Sequence, residues 1–230
     1  MSPDASLVPG ISSKKVMKIL AVSDRESPLI YSPNIKTRFD DIDIVLSCGD
    51  LSYFYLEYMI SSLDIPLYFV RGNHAVDVEY GVAGTRTAPW GGIDLHKKVI
   101  RDKQTGLILA GIEGSLKYND RDYQYSQLRM WWMVLQLIPS LIINRIRYGR
   151  FLDIFVTHAP PLGIHDQKDR PHKGILAFKW FDKLFHPTYH LHGHIHIYKP
   201  GTVRETDLGD TKIINAFAYR IVKFQFPTAD

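Results

Sequence analysis

Five short apolar runs, each stopped by a residue able to bind a metal or move a proton, constrain this chain more than anything else in it. Residues 16–22 (VMKILAV) lead into Ser23-Asp24, and 42–47 (IDIVLS) into Cys48-Gly49-Asp50. Residues 66–70 (PLYFV) lead into Arg71-Gly72-Asn73-His74, 151–156 (FLDIFV) into Thr157-His158, and 189–191 (YHL) into His192-Gly193-His194. Runs this short, rich in Val, Ile and aromatics, read as strands, and their near-continuous apolarity fits strands covered on both faces. Tyr53–Leu63 carries apolar residues at helical spacing, as do 126–147 (with a break expected near Pro139) and 174–185. Later strands are expected at 107–111, 212–215 and 221–226, and 81–92 reads as the loosest loop. Strands alternating with helices indicate an α/β fold. With 230 residues, no repeat and no linker, the chain reads as one domain over 16–230 after a loose tail at 1–15.

In open α/β sheets ligands gather outside the carboxyl ends of the strands. Five separate loops would therefore deliver Asp24 with Glu26, Asp50, Asn73 with His74, His158, and His194 with His196 to one rim. Mixed Asp/His/Asn ligation suits Zn, Mn or Fe and differs from a cysteine-based structural zinc site. Gly49, Gly72 and Gly193 each precede a candidate ligand, where glycine permits close backbone approach. The single cysteine, Cys48, excludes an internal disulfide framework, suits a reducing compartment and reads as a buried strand-end residue. With no basic, apolar leader at residues 1–13, the expected location is cytoplasmic. The stretch 130–143 is shorter than the ~20 residues a bilayer span needs, and Pro139 interrupts it. A net charge of +4 tolerates an anionic substrate, but no basic, aromatic-interleaved stripe marks a nucleic-acid partner.

These residues resemble the calcineurin-like metallophosphoesterase family, whose pattern is Asp-x-His, Gly-Asp, Gly-Asn-His, a lone His, then Gly-His-x-His. Here the series reads Asp24-Arg25-Glu26, Gly49-Asp50, Gly72-Asn73-His74, Thr157-His158 and Gly193-His194-Ile195-His196, in order, across 18–198, with 209–220 similar to the family's last strands. The resemblance implies an α/β/β/α sandwich of two packed sheets with helices outside and the metal site at the carboxyl ends of the strands. It implies two divalent metal ions, Mn, Fe or Zn. Asp24, His196 and position 26 would hold one, Asn73, His158 and His194 the other, and Asp50 would bridge them. It further implies hydrolysis of a phosphoester, a phosphodiester or nucleotide-like molecule, by a hydroxide bridging the metals, with His74 as general acid. A metal pair about 3.5–4 Å apart performs such chemistry.

One position departs from the pattern: the first motif ends in Glu26 where the family usually has His. A carboxylate there can ligate and would favour a harder metal; otherwise it turns away and the first site binds loosely. The competing expectation is a weak or inactive scaffold on the same fold. The segment 129–150 has three readings: a core helix, a cap or dimer surface, and a helix lying on a membrane, which would suit a lipid-like substrate. His96, His186 and His190 read as surface or satisfied core residues, and His192 as either that or a neighbour of the ligands. His165, Asp166 and His172 either line the entrance to the site or are plain loop polarity, with Asp166 able to orient a histidine. Arg25 and Arg71 would assist catalysis if either points inward. The oligomeric state is left open.

Overall fold

The computed structural model describes residues 16–226 apart from 82–83, so the tail at 1–15 lies outside the described residues. Among them, the strands of two main sheets are β1 (Met17–Ser23), β2 (Ile44–Ser47), β3 (Leu67–Phe69), β4 (Ile93–Asp94), β5 (Lys98–Arg101), β6 (Ile108–Ile112), β7 (Ile154–Thr157), β8 (Tyr189–His192), β9 (Glu205–Leu208), β10 (Thr211–Asn215) and β11 (Ala218–Phe224). The helices are α1 (Ile35–Arg38), α2 (Tyr53–Leu63), α3 (Gln127–Leu135), α4 (Ile138–Tyr148) and α5 (Leu176–Phe185). The first sheet runs β11-β1-β2-β3-β4, with β1 to β4 parallel and β11 antiparallel at the edge. The second runs β9-β10-β8-β7-β6-β5, with a parallel centre and antiparallel edges.

Period-two alternation divides the core. In β1, Ile19 and Ala21 join a buried cluster with Leu46 of β2, Leu109 of β6, Val156 of β7, Leu191 of β8 and Ile214 of β10, so residues of both sheets meet in it. Leu20 and Val22 point the other way and bury with Ile35 of α1 and Leu56 and Met59 of α2. On the second sheet, Ile108, Ala110 and Phe155 bury with Met130, Val134 and Leu141 of α3 and α4 and with Phe178 and Phe181 of α5. The strands were expected to be covered on both faces, and they are: β1 through β3 and β6 through β8 are buried along nearly their whole length.

Local chemistry sets the helix boundaries. Ser52 takes extended backbone angles and its hydroxyl accepts from the Tyr55 N–H at 3.2 Å, which starts α2; Asp64, left-handed at φ 55°, ends it. The expected helix over 126–147 is two helices, yet the break is slight. Gln136 and Leu137 keep helical angles, and only the Leu137 N–H shifts to an i−3 bond, onto Val134, just before Pro139 removes a donor. Segment 81–92, expected to be a loop, contains half of a small ribbon pairing Glu79–Gly81 with Gly84–Arg86. Among the described residues no helix is long and apolar enough to cross a membrane.

Candidate metal centre

Parallel strands of both sheets end at one place, and the candidate ligands stand there in left-handed or tightly packed backbone. Asp24 (φ 62°), Asp50 (φ 55°) and His194 (φ 66°) all have positive φ without being glycine. Such angles cost of order 1–3 kcal/mol each and persist where the surroundings over-determine them. Two glycines explain how the loops come so close. A Cβ on Gly72 would lie 2.0 Å from Asp50 Oδ1, and one on Gly193 would lie 1.8 Å from Ser23 Oγ and 2.6 Å from Asp24 Oδ2.

Asp24, Asp50 and His158 each offer one ligand atom, all within 4.8 Å of one another. His158 is fully buried. Its Nδ1–H donates to the Cys48 carbonyl at 2.8 Å, since a carbonyl only accepts, and this leaves Nε2 facing Asn73 Oδ1 at 2.9 Å and Asp50 Oδ2 at 3.1 Å. The Asn73 amide is oriented by its Nδ2–H, which donates to the Tyr118 hydroxyl at 3.0 Å. The backbone N–H of His74 donates to Asp50 Oδ1 at 2.9 Å. Across the site, the His194 backbone N–H donates to both oxygens of Asp24 at 3.0 Å. The His194 ring donates from Nε2 to the Pro171 carbonyl at 2.8 Å, so its Nδ1 is the bare nitrogen, and its ring centre lies 4.9 Å from that of His158. His196 points Nε2 toward Asp24 Oδ1 at 3.6 Å, with the Tyr198 hydroxyl 2.8 Å from its Nδ1.

The electrostatics follow. Burial by itself would raise the Asp50 carboxyl, but the charge and hydrogen bond of His158 hold it at about 2. Burial would likewise lower His158, and the Asp50 carboxylate overrides it and lifts the imidazole to about 9. The two shifts are one interaction seen from its two ends. His194 is pushed down to about 4, first by burial and then by the charge of His158. His196 is raised, chiefly by its hydrogen bond to Asp24. Burial and the nearby Asp24 charge raise the Cys48 thiol, which is fully buried and behaves as the packing residue expected.

His158 Nε2, Asn73 Oδ1 and Asp50 Oδ2 thus form a knot of acceptors that needs a positive partner at its centre: a proton on His158, or a cation. The donor set is mixed nitrogen and oxygen, and the rings of His158 and His194 are each held by a backbone carbonyl, which leaves the other ring nitrogen of each uncommitted to a carbonyl. That chemistry fits a divalent transition ion.

Glu26 stands apart from this knot. It is exposed, and its carboxylate accepts from the Ser52 hydroxyl. His74 is exposed at the rim, fixed there through its backbone. The Arg71 guanidinium does not aim at the acceptors; it is held by Asp94 at 2.6 Å and by the Tyr53 hydroxyl at 3.2 Å. Asp166 accepts from the Gly174 N–H at 3.0 Å and orients no histidine; Asp169 takes that part for His172, 2.6 Å from its Nδ1. His172 does flank the centre, its ring 5.3 Å from His194. Buried His192 and half-buried His165 form a pair, Nε2 to Nδ1 at 2.9 Å, beside a cavity of about 590 Å³ that His165, His196 and Tyr198 line. Sequence reasoning missed Tyr118, Tyr198 and the carbonyls of Cys48 and Pro171. No residue-type signal marks a carbonyl, and neither tyrosine lies in a motif.

No family model matches the chain, and no curated protein matches it in sequence. Its likeness is to solved structures. TT1561 of Thermus thermophilus superposes with a TM-score of 0.59 at 12% identity, over 91% of this chain and 99% of that one. A second solved structure gives 0.58 at 14% identity, over 92% and 100%. Vacuolar Protein Sorting 29 from Cryptosporidium parvum gives 0.45 at 12% identity, over 92% and 87%. At such identities the likeness to the first two shows a shared fold and nothing finer.

Proposed function

We propose that this chain is a calcineurin-like metallophosphoesterase that hydrolyses a phosphodiester or nucleotide-like phosphoester at the centre described above. The three buried clusters support the expected α/β/β/α layering, and the likeness to TT1561 supports a fold of this kind. The observation that carries the activity is the meeting of Asp24, Asp50 and His158, each offering one ligand atom within 4.8 Å of the others, with Asn73 Oδ1 2.9 Å from His158 Nε2 and with the His194 backbone and the His196 ring against Asp24.

In this reading Asn73, His158 and His194 would hold one divalent ion and Asp24 and His196 another, with Asp50 contributing to both. When bound, such ions activate water near neutral pH and neutralise phosphoryl oxygens. The chain's own part is positioning. Carbonyls and Tyr118 fix the ligands before any ion arrives, so little reorganisation is required on loading. His74, anchored through its N–H to Asp50, stands at the rim where it can protonate a departing oxygen.

The test is metal content with turnover. Protein purified without chelator is expected to retain close to stoichiometric transition metal and to hydrolyse bis-p-nitrophenyl phosphate with Mn, Fe or Zn. Only trace metal after loading in excess would sink the reading. A second reading, a metal-binding scaffold with weak or no turnover, draws on the placement of Glu26 against Ser52, which leaves the Asp24–His196 side short of a ligand. Stoichiometric metal with no hydrolysis across Mn, Fe, Co, Ni and Zn would favour it.

A further inference from the structure

The helices α3 and α4 are apolar on two opposite faces, and the fold uses only one. Met130, Met133, Val134, Leu137 and Leu141 bury against the second sheet and α5. On the other side Leu128 (80% exposed), Trp132 (56%), Leu135, Ile142, Ile143 and Ile146 (79%) stand in solvent. Because Gln136 and Leu137 stay helical, the phase carries through the bend. At 100° per residue these six positions, with exposed Pro139 between them, fall within an arc of about 100°. At the same spacing Arg129 and Arg147 flank that arc on one side and Arg145 on the other, each roughly 40–60° beyond its edge. A groove of about 560 Å³ opens between Leu128, Trp131, Trp132 and Leu135.

Charge selects what covers this face. From Tyr123 to Leu152 the chain has no Asp or Glu. Arg129 and Arg147 have no acidic partner among the described residues. Among the described residues Arg145 reaches the Gly149 carbonyl and the Phe151 ring, 5.8 Å from its centroid, and no carboxylate. A second copy docked through this face about a two-fold axis would set arginine against arginine with no carboxylate on either side. An apolar stripe edged by guanidinium groups that have no acidic partner among the described residues matches instead an interface of acyl chains and anionic headgroups.

We propose that the α3–α4 face is a docking site for an anionic lipid surface, with Leu128, Trp132, Leu135, Ile142, Ile143 and Ile146 entering the acyl boundary and Arg129, Arg145 and Arg147 meeting headgroup phosphates and carboxylates. The helices lie along the surface and do not cross it; 19 residues from Leu128 to Ile146 run about 27 Å at 1.5 Å per residue. The proposal does not depend on the metal centre. The same helices are nevertheless tied to it: the Gln127 side chain donates to the Gly174 carbonyl at 3.0 Å and accepts from the Leu176 N–H at 3.1 Å, clamping α3 to the loop whose Pro171 carbonyl holds His194.

Vesicle co-sedimentation of the full chain tests this. The protein is expected to pellet with phosphatidylcholine vesicles containing about 30% phosphatidylserine at low salt, and to release at high salt or when phosphatidylserine is omitted. The pair Leu128→Ser with Ile146→Ser, and separately Arg129→Gln with Arg147→Gln, should each lower the partition coefficient by about tenfold or more, with melting temperature unchanged because these side chains are exposed. No pelleting with anionic vesicles at low salt overturns the proposal, as does pelleting that both double variants retain. A wild-type dimer in sedimentation velocity that Ile146→Ser dissolves, with no vesicle binding, assigns the face to a second copy and overturns it too.

Discussion

With its Nδ1 proton committed to the Cys48 carbonyl, His158 has one nitrogen left, and two acceptor oxygens face it, from Asn73 and Asp50. In the metal-free protein a proton fills that gap, and the imidazole titrates at about 9. Ligation must expel this proton, whereas His194, at about 4, is already neutral at pH 7 and releases none. Metal uptake near pH 7 is therefore expected to release about one proton per chain, read by calorimetry in buffers of different ionisation enthalpy. Because His158 lies above the ordinary 6.5 and Asp50 below the ordinary 3.8, the pair's stabilisation is fully present between 3.8 and 6.5 and is lost as pH rises through 9 or falls toward 2. The melting temperature of the chelated protein should accordingly fall between about pH 7 and pH 10. Asp50→Asn removes the carboxylate that lifts His158. The expected result is a His158 titration, followed by imidazole NMR, moved to well below 9, together with loss of retained metal. Asp50 and His158 were readable in advance because a glycine or an apolar run sets each off. Tyr118 was not, since only its meeting with Asn73, 45 residues earlier, gives it a part.

Where elements meet, contact distance decides the outcome. The loop after β8 passes so near the end of β1 that a Cβ on Gly193 would overlap Ser23 and crowd Asp24. Gly193→Ala is expected to cost about 1–3 kcal/mol in urea denaturation and to weaken metal retention, because the carboxylate it displaces, that of Asp24, is a proposed ligand. At the start of α2, Ser52 caps the helix and also binds Glu26. Glu26→His exchanges that contact for an imidazole at the family's usual ligand position, and zinc retained per chain is expected to rise toward two by elemental analysis. An unchanged content would mean that position 26 faces away from the ions whatever it carries. Inside the second sheet, His190 of β8 lies 2.7 Å from Asp182 of α5 and 2.8 Å from Thr157 of β7, both acidic partner and histidine wholly buried. The Thr157 hydroxyl donates to the Ala159 carbonyl and lies 2.8 Å from His190 Nε2, while His190 Nδ1 faces the Asp182 carboxylate. Asp182→Ala leaves the buried His190 Nδ1 without its partner and should cost about 1–3 kcal/mol by the same measurement. The histidine was read as a satisfied core residue, which it is. Its partner, eight residues away on a helix, had no sequence mark.

At the scale of the molecule, the centre is a junction: Asp24, Asp50 and Asn73 come from one sheet, His158, His194 and His196 from the other. An ion held there fastens the two layers together. At a concentration about 1,000 times its dissociation constant it adds about 4 kcal/mol to stability. For a chain of this size that raises the melting temperature by roughly 8–16 °C, an increase that chelation should reverse in a thermal melt. The edge strands β5 and β9 escaped a reading by periodicity because each is short and at least half charged or polar (Lys98 and Arg101; Glu205, Thr206 and Asp207), and pairing to β6 and β10, not burial, makes them strands. Sequence by itself determined which runs become strands buried on both faces and which side chains end them, because apolar runs and the residues that close them are local properties of the chain. Only the tertiary structure decided which nitrogen of each histidine is bare, that Glu26 turns to Ser52, and that the second apolar stripe of α3 and α4 is left uncovered. Those outcomes depend on where carbonyls and surfaces from distant segments come to rest, and no stretch of residues encodes that alone.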